Sequence, residues 1–500
     1  MLTTHSSIYF LNKINPLIKV YMILFFLIIS SLHCQSQSSK IPSEANLTDT
    51  LISPKINFLR STGLVLGSNT GIWAYNRFVD KIGYAYINWN TIKTNFENGF
   101  MWDNDMFGTN FLGHPIQGYT YYHAARSNGM NFWASTAATA TGSLLWEYFM
   151  ENEPPAYNDF ASTTLGGAAL GEVLYRLSDK IIDDRTGGFN RLSREVMIVL
   201  VAPFRGLNRM ITGQAWQLRN IKGNSIPNEN ISVAFAAGYK NLSEKNNNQL
   251  KSKNVVSYDL DILYGDPFVD VTKPYDSFAF RCGGNLFSDL LWLDHINLTG
   301  TILNKNIALN NANNDLTMGI YQYFNYYESL LSDNHSPFFQ YKISEAASFG
   351  PGIIYKFNAG KKSEIQCSAF LGGIIMGGEK TDYYVSSFRN YNMGSGFSSK
   401  LNFDFTYGSQ ISLLLKAENY NLYTWIGQRP DEKDNISFEY QGDFCTSNLT
   451  VASAKFTYVI GKHYLVSAES GMYYRKNNYK YYQTVTNLIT ENKLSVGFVF

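Results

Sequence analysis

The chain has 500 residues, with 41 basic and 40 acidic side chains and a net charge of +1, so it has room for more than one domain but lacks the basic excess of a nucleic-acid binder. Aromatic residues reach 15%, a heavy load for a soluble enzyme, while mean hydropathy is only −0.18, which excludes a multi-span helical membrane protein. A membrane β-barrel fits both numbers, because only alternate residues of its strands face lipid.

Residues 1–34 read as a secretory signal peptide. Lys13 and Lys19 precede an apolar run from Val20 to Leu32, which is too short for a comfortable membrane span. Cleavage is expected between His33 and Gln37. Cys34 is preceded by Ser31-Leu32-His33, which lacks the upstream Leu and the small neighbour of a lipidated cysteine. Cys282, Cys367 and Cys445 are far apart and odd in number, so they define neither a disulfide framework nor a metal spacing. Residues 35–55 are polar and read as a flexible linker.

Residues 56–220 read as an α-helical domain. A weak helix, interrupted by glycines, is expected over 57–80, and Tyr84 to Phe107 is expected to be irregular. Pro115 suits a first helical turn and Gly129 a stop, so a helix is expected over 115–128. The next, over 131–150, is apolar except for one polar line at i, i+4 spacing: Ser135, Thr139, Ser143, Glu147 and Glu151. Such a line faces another helix or a wet cavity. After the Pro154-Pro155 break, Asn158 is the expected N-cap of a slender helix to Ser178. Gly167 and Gly171 give that helix the spacing that lets a neighbour approach closely. A fourth helix, 190–212, is expected to kink at Pro203 and to carry Arg205 and Arg209 on one face.

From Ile231 the period changes to 2. In 400–407, for example, Leu401, Phe403, Phe405 and Tyr407 alternate with Lys400, Asn402, Asp404 and Thr406. Such segments recur to the end of the chain between Asn-, Gly- and Ser-rich turns. At ~10 residues per strand they make roughly 12 strands. The chain stops on an aromatic, with Leu494, Val496, Phe498 and Phe500 on one face. This resembles the C-terminal insertion signal of bacterial outer-membrane barrels and implies the barrel-insertion machinery as a partner, engaged through Phe500.

Candidate chemistry is concentrated between Trp102 and Gly171. Glu147 ends one helix and Asp159 opens the next, so the short turn brings two carboxylates together. In a partly dry site their pKa values would split, as acid/base work requires. His114, near a helix start, is the third candidate. With Asp103, Asp105 or His123 the set would offer oxygen and imidazole ligands to a metal. The plainer reading is that Asp159 caps its helix and Glu147 binds backbone or Arg126. Arg126, Arg205 and Arg209 are candidates for lipid phosphate, which guanidinium forks suit. Neither a nucleophile elbow, nor HExxH, nor a phosphate-binding Gly-Lys-Ser/Thr loop is present. The acids on the strands, such as Asp404 and Glu469, are expected to line a wet lumen.

The block 102–213 resembles an uncharacterised family of bacterial outer-membrane proteins with a domain of unknown function. Trp102-Asp103-Asn104-Asp105, His114-Pro115, Ala125-Arg126-Ser127, Trp146-Glu147, Asn152-Glu153-Pro154-Pro155, Asp159 and Gly166 to Glu172 carry the resemblance. Arg176 to Asp179 and Pro203 to Arg209 extend it. It implies a place in the envelope and no activity. A shorter likeness is to VanZ-like envelope proteins, through Glu147, Asp159 and Gly167/Gly171, and it points only to the cell envelope.

The expectation is therefore an α+β protein of the Gram-negative outer membrane. An N-terminal α-helical domain, 56–220, lies on the periplasmic side, and a C-terminal antiparallel transmembrane β-barrel of roughly 12 strands fills 230–500. The helical domain binds or processes an envelope lipid or glycan, so outer-membrane lipid is the expected partner. The alternative is a non-enzymatic pore, or a structural barrel with a helical plug. The sequence names no cofactor and no metal.

Overall fold

The computed structural model describes residues 55–226, 229–246, 249–287, 291–309, 313–329, 341–384, 389–432 and 439–500. The expected signal peptide and the linker up to residue 54 lie outside them. The chain forms two compact units. One takes Met1–Trp102 with Gly113–Asn228, and the other takes Asp103–Leu112 with Glu229–Phe500.

The first unit is helical. Helix α1 spans Phe58–Ala74 and passes into a π-helical turn, Tyr75–Val79. Helix α2, Trp89–Asn98, occupies a stretch expected to be irregular. Asn88 caps it, accepting from Asn90 and Thr91 backbone N–H groups, while Thr91 Oγ1 accepts from Asn88 N–H. That reciprocal capping satisfies donors the first turn would otherwise leave open. Helix α3, His114–Arg126, has its proline in the first turn, and Gly129 follows it at φ 89°. Helix α4, Phe132–Phe149, is capped by Asn131.

Helix α5, Tyr157–Ala161, continues through a π turn, Ser162–Gly166, into α6, Gly167–Ile181. The expected cap, Asn158, is not the cap. Ala156 holds that position, and Asn158 is buried inside the first turn with its amide on Asp159. Helices α7, Gly188–Val201, and α8, Pro203–Ile211, divide at Pro203, where the fourth helix was expected to kink. The partner of the slender helix is α3. A methyl group on Gly167 would lie 2.6 Å from Gly118 Cα, and one on Gly171 2.7 Å from the Tyr122 ring.

This unit buries charge and exposes apolar side chains. On α7, Arg191 and Glu195 are buried while Phe189, Leu192 and Val196 are exposed. On α8, Arg205, Asn208 and Arg209 are buried while Leu207, Met210 and Ile211 are exposed. The polar line of α4 is buried from Ser135 to Glu147.

The second unit is a closed barrel. Its strands are β1 Ile231–Asn246, β2 Gln249–Tyr264, β3 Phe278–Leu286, β4 His295–Ile307, β5 Asn314–Glu328 and β6 Lys342–Asn358. They continue with β7 Ser363–Lys380, β8 Tyr391–Tyr407, β9 Ile411–Thr424, β10 Cys445–Ile460, β11 Tyr464–Tyr479 and β12 Val485–Val499. Each pairs with its sequence neighbours, and β1 closes antiparallel on β12 with Phe235 opposite Phe498. Closure leaves no unpaired edge, which hydrocarbon demands. The pleat gives the wall two faces. On β12, Leu494, Val496 and Phe498 are exposed, while Glu491, Lys493 and Ser495 between them are buried. Lys493 reaches Asp259 on β2 with β1 between them, so that polar face is the lumen. An apolar outer face and a polar lumen make this an outer-membrane barrel.

Segment Asp103–Leu112 packs on this unit. The Phe107 ring lies 5.5 Å from Tyr326 and 5.3 Å from Tyr391. Asn110 donates to the Tyr391 hydroxyl at 2.6 Å, and that hydroxyl donates to Asp105 O at 2.9 Å. Tyr326 precedes Tyr327, whose ring meets β9 and β11 across the lumen. Adjacent strand residues point to opposite faces, so Phe107 sits on the outer wall.

Candidate functional site

The end of α4 and the start of α5 are joined by the short stretch 150–156. It folds back so that the Ala156 backbone N–H donates to Glu147 Oε2 at 2.8 Å. His114, the first residue of α3, places Nε2 3.1 Å from Asp159 Oδ1. Asn158 holds the same carboxylate oxygen at 2.7 Å. Glu147 and Asp159 are close enough for their charges to interact, and His114 is close enough to oppose that effect. The structure therefore brings His114, Glu147 and Asp159 into one buried neighbourhood.

Burial pushes the Glu147 carboxyl up, and the charge of Asp159 pushes it further, to about 8. The Ala156 N–H, His114 and a hydrogen bond with Glu151 offset part of this. Glu147 thus holds a proton at neutral pH, while the adjacent imidazole is paired with a carboxylate. A protonated acid beside a carboxylate-oriented imidazole is the equipment of general acid–base transfer.

The surroundings of Glu147 include Glu151, the end of the expected polar line, and residues that sequence reasoning did not single out, Asn95 and Tyr121 among them. Glu151 Oε2 accepts from the Trp146 indole at 3.1 Å, and Asn95 Nδ2 donates to the Glu151 carbonyl at 3.0 Å. Asn95 lies on α2, so it was missed with that helix. The signal was available in the Asn88–Thr91 capping pair. Tyr121 feels the charges of Glu147 and Glu151, and burial above all holds its hydroxyl well above the usual range. Gln117 donates to that hydroxyl at 2.6 Å, and the hydroxyl donates to Asn69.

The candidate phosphate-binding arginines are taken up by the protein's own carboxylates. Arg126 makes a fork on Glu172 at 2.9 and 3.2 Å, and Arg176 joins it at 2.9 Å. Burial alone would raise the Glu172 carboxyl, and the two guanidinium charges override it, bringing it to about 2. Arg205 pairs with Asp179 and with Ser178 Oγ, and Arg209 bridges Glu195 and Asp184 at 2.8 and 2.7 Å.

His123 does not join the candidate centre through its ring. Its Nε2 faces Gly171 O at 2.9 Å, and burial lowers its pKa to about 4, so it is neutral. Asp103 and Asp105 belong to the segment that packs in the second unit. His114 and Asp159 are ligand types that suit a divalent ion.

Among solved structures, the chain is similar to the NanC porin at 9% identity, over 53% of this chain and 98% of that one, with a TM-score of 0.26. It is also similar to the outer-membrane protein OmpT of Vibrio cholerae at 6% identity, over 54% and 97%, with a TM-score of 0.24. The outer-membrane channel DcaP of Acinetobacter baumannii follows at 9%, over 54% and 97%, with a TM-score of 0.22. No curated protein matches the chain. Residues 99–204, which span α3 to α7 and the His114, Glu147 and Asp159 neighbourhood, match DUF3943, a domain of unknown function.

Proposed function

We propose that the helical unit of this outer-membrane protein binds and processes an envelope lipid or glycan by proton transfer. Glu147 is the acid. His114, oriented by Asp159, is the base. The observation that carries this reading is the buried Glu147 carboxyl, held protonated beside a paired imidazole. Lipid is supported as the substrate class by the apolar faces of α7 and α8, whose charged faces are turned inward. Amphipathic helices with such an outer face lie in the headgroup region of a bilayer. The phosphate-binding role of Arg126, Arg205 and Arg209 requires lipid phosphate to displace Glu172, Asp179 or Glu195.

We propose that the helical unit lies on the periplasmic side. β1 begins at the barrel end where three of the connections, 359–362, 408–410 and 461–463, are short, and short turns are typical of the periplasmic end. Cysteine labelling tests this. A thiol at exposed Thr141 should react only after the outer membrane is permeabilised, and labelling in intact cells would refute the placement.

The functional test compares envelope lipids and glycans by mass spectrometry. A deletion, Glu147→Gln and Asp159→Asn should share one altered species. If the deletion alone alters the envelope while both variants match wild type, the proton-transfer role is wrong.

A further inference from the structure

Barrels of 16 to 18 strands leave an aqueous channel, whereas 8 strands leave a lumen that side chains fill. A barrel of 12 strands lies between, so its side chains decide. In this ring β5 and β11 stand six places apart, diametrically opposed. Their side chains nevertheless meet. Tyr327 on β5 and Tyr473 on β11 have ring centroids 6.1 Å apart. Tyr341, immediately before β6, stacks on Tyr473 at 4.2 Å with 7° between ring planes. The Tyr327 and Tyr420 hydroxyls both donate to Glu418 Oε2, at 2.9 and 2.7 Å. Ile343, Leu422, Leu449 and Ile489 pack into the same buried cluster.

A second layer of contacts also crosses the lumen. Arg281 on β3 reaches Glu469 on β11 at 2.8 Å, and Lys455 on β10 reaches Asp261 on β2 at 2.7 Å. In each pair three strands intervene on the shorter way round. The space lined by Arg281, His295, Tyr327, Glu418, Tyr473 and Lys493 has a volume of about 30 Å³. That is room for a water or two, not for a solute.

We infer that this barrel is a sealed anchor rather than a pore, closed by the Tyr327–Tyr473–Tyr341 layer and backed by the Arg281–Glu469 and Lys455–Asp261 pairs. The inference is independent of the chemistry proposed for the helical unit, which an open barrel would equally permit. A hydrogen-bonded tyrosine layer across the bore leaves ions no hydrated path. The polar lumen expected from the alternating pattern is therefore polar and occupied.

Planar-bilayer recording on the full chain tests this. Wild type should give no conductance steps. The variant Tyr327→Ala/Tyr473→Ala/Arg281→Ala/Glu469→Ala should give discrete steps, with folding checked by heat-modifiable gel migration. Steps from wild type would overturn the inference. So would silence from the folded variant, because the named side chains would then not be the seal. If the fourfold variant fails to fold, the milder Tyr327→Ser/Tyr473→Ser/Arg281→Ser/Glu469→Ser, which keeps a hydrogen-bonding side chain at each position, is recorded in its place. Silence from that folded variant would overturn the inference.

Discussion

At the residue scale, Glu147 carries the most consequence. Its folded pKa lies above its unfolded value, so the folded state binds the extra proton between the usual carboxylate range and about 8. Stability is therefore greatest below that window and is lost as pH rises through about 8. Glu147→Gln keeps an acceptor for the Ala156 N–H and removes the titration. It should leave stability at pH 5 nearly unchanged and raise it at pH 9 by about 1–3 kcal/mol. The temperature of gel-shift unfolding at the two pH values measures this, and an equal change at both would contradict it. Glu172 is the opposite case. It holds the buried Arg126 and Arg176 together, and Glu172→Gln removes their counter-charge. A loss of about 3–5 kcal/mol is expected, read as early proteolysis of the helical unit with the barrel intact.

At the element scale, the close approach of α3 and α6 decides the fold of the helical unit. A methyl group on Gly118 would fall on the Thr163 carbonyl, whereas one on Gly63 would meet nothing within 4 Å. Gly118→Ala should cost about 1–3 kcal/mol or more. Gly63→Ala, in the open on α1, should be neutral or stabilise by roughly 0.5–1 kcal/mol. Comparable effects of the two, in the same proteolysis assay, would mean that α3 and α6 are not in backbone contact. Much of this was legible. Pro115, Gly129 and Pro203 mark backbone constraints that tertiary structure cannot override, and α3, α4 and the α7–α8 break follow them. Helix α2 is only ten residues long, and its three apolar residues, Trp89, Ile92 and Phe96, stand at helical spacing but are too few to mark it among the surrounding aromatic and amide side chains. The position of Asn158 was misread because Asn is a good cap in isolation, whereas here its amide serves Asp159.

At the scale of the whole molecule, alternation over 231–499 was enough for the barrel, because a lipid-facing wall forces period 2 on every strand. The content of the lumen was not legible. Alternation says that a residue faces inward, not that Tyr327 and Tyr473 meet across the bore. The candidate centre was legible in part, since helix ends joined by a short turn must be neighbours. Its protonation followed only from burial, which depends on residues as distant in sequence as Asn95 and Tyr121. Phe500 is tied into the closing seam by reciprocal backbone bonds with Val233 at 2.8 and 3.3 Å. Removing it should slow barrel assembly and reduce the heat-modifiable form in cells, and unchanged assembly would remove the case for Phe500 as the handle of the insertion machinery.

The central claim is that Glu147 holds a proton at neutral pH beside the His114–Asp159 pair. Infrared difference titration, wild type minus Glu147→Gln, reads that proton directly through the protonated-carboxyl stretch. The account predicts that this band persists through pH 7 and disappears near pH 8. Its disappearance in the usual carboxylate range, below pH 5, would contradict the account.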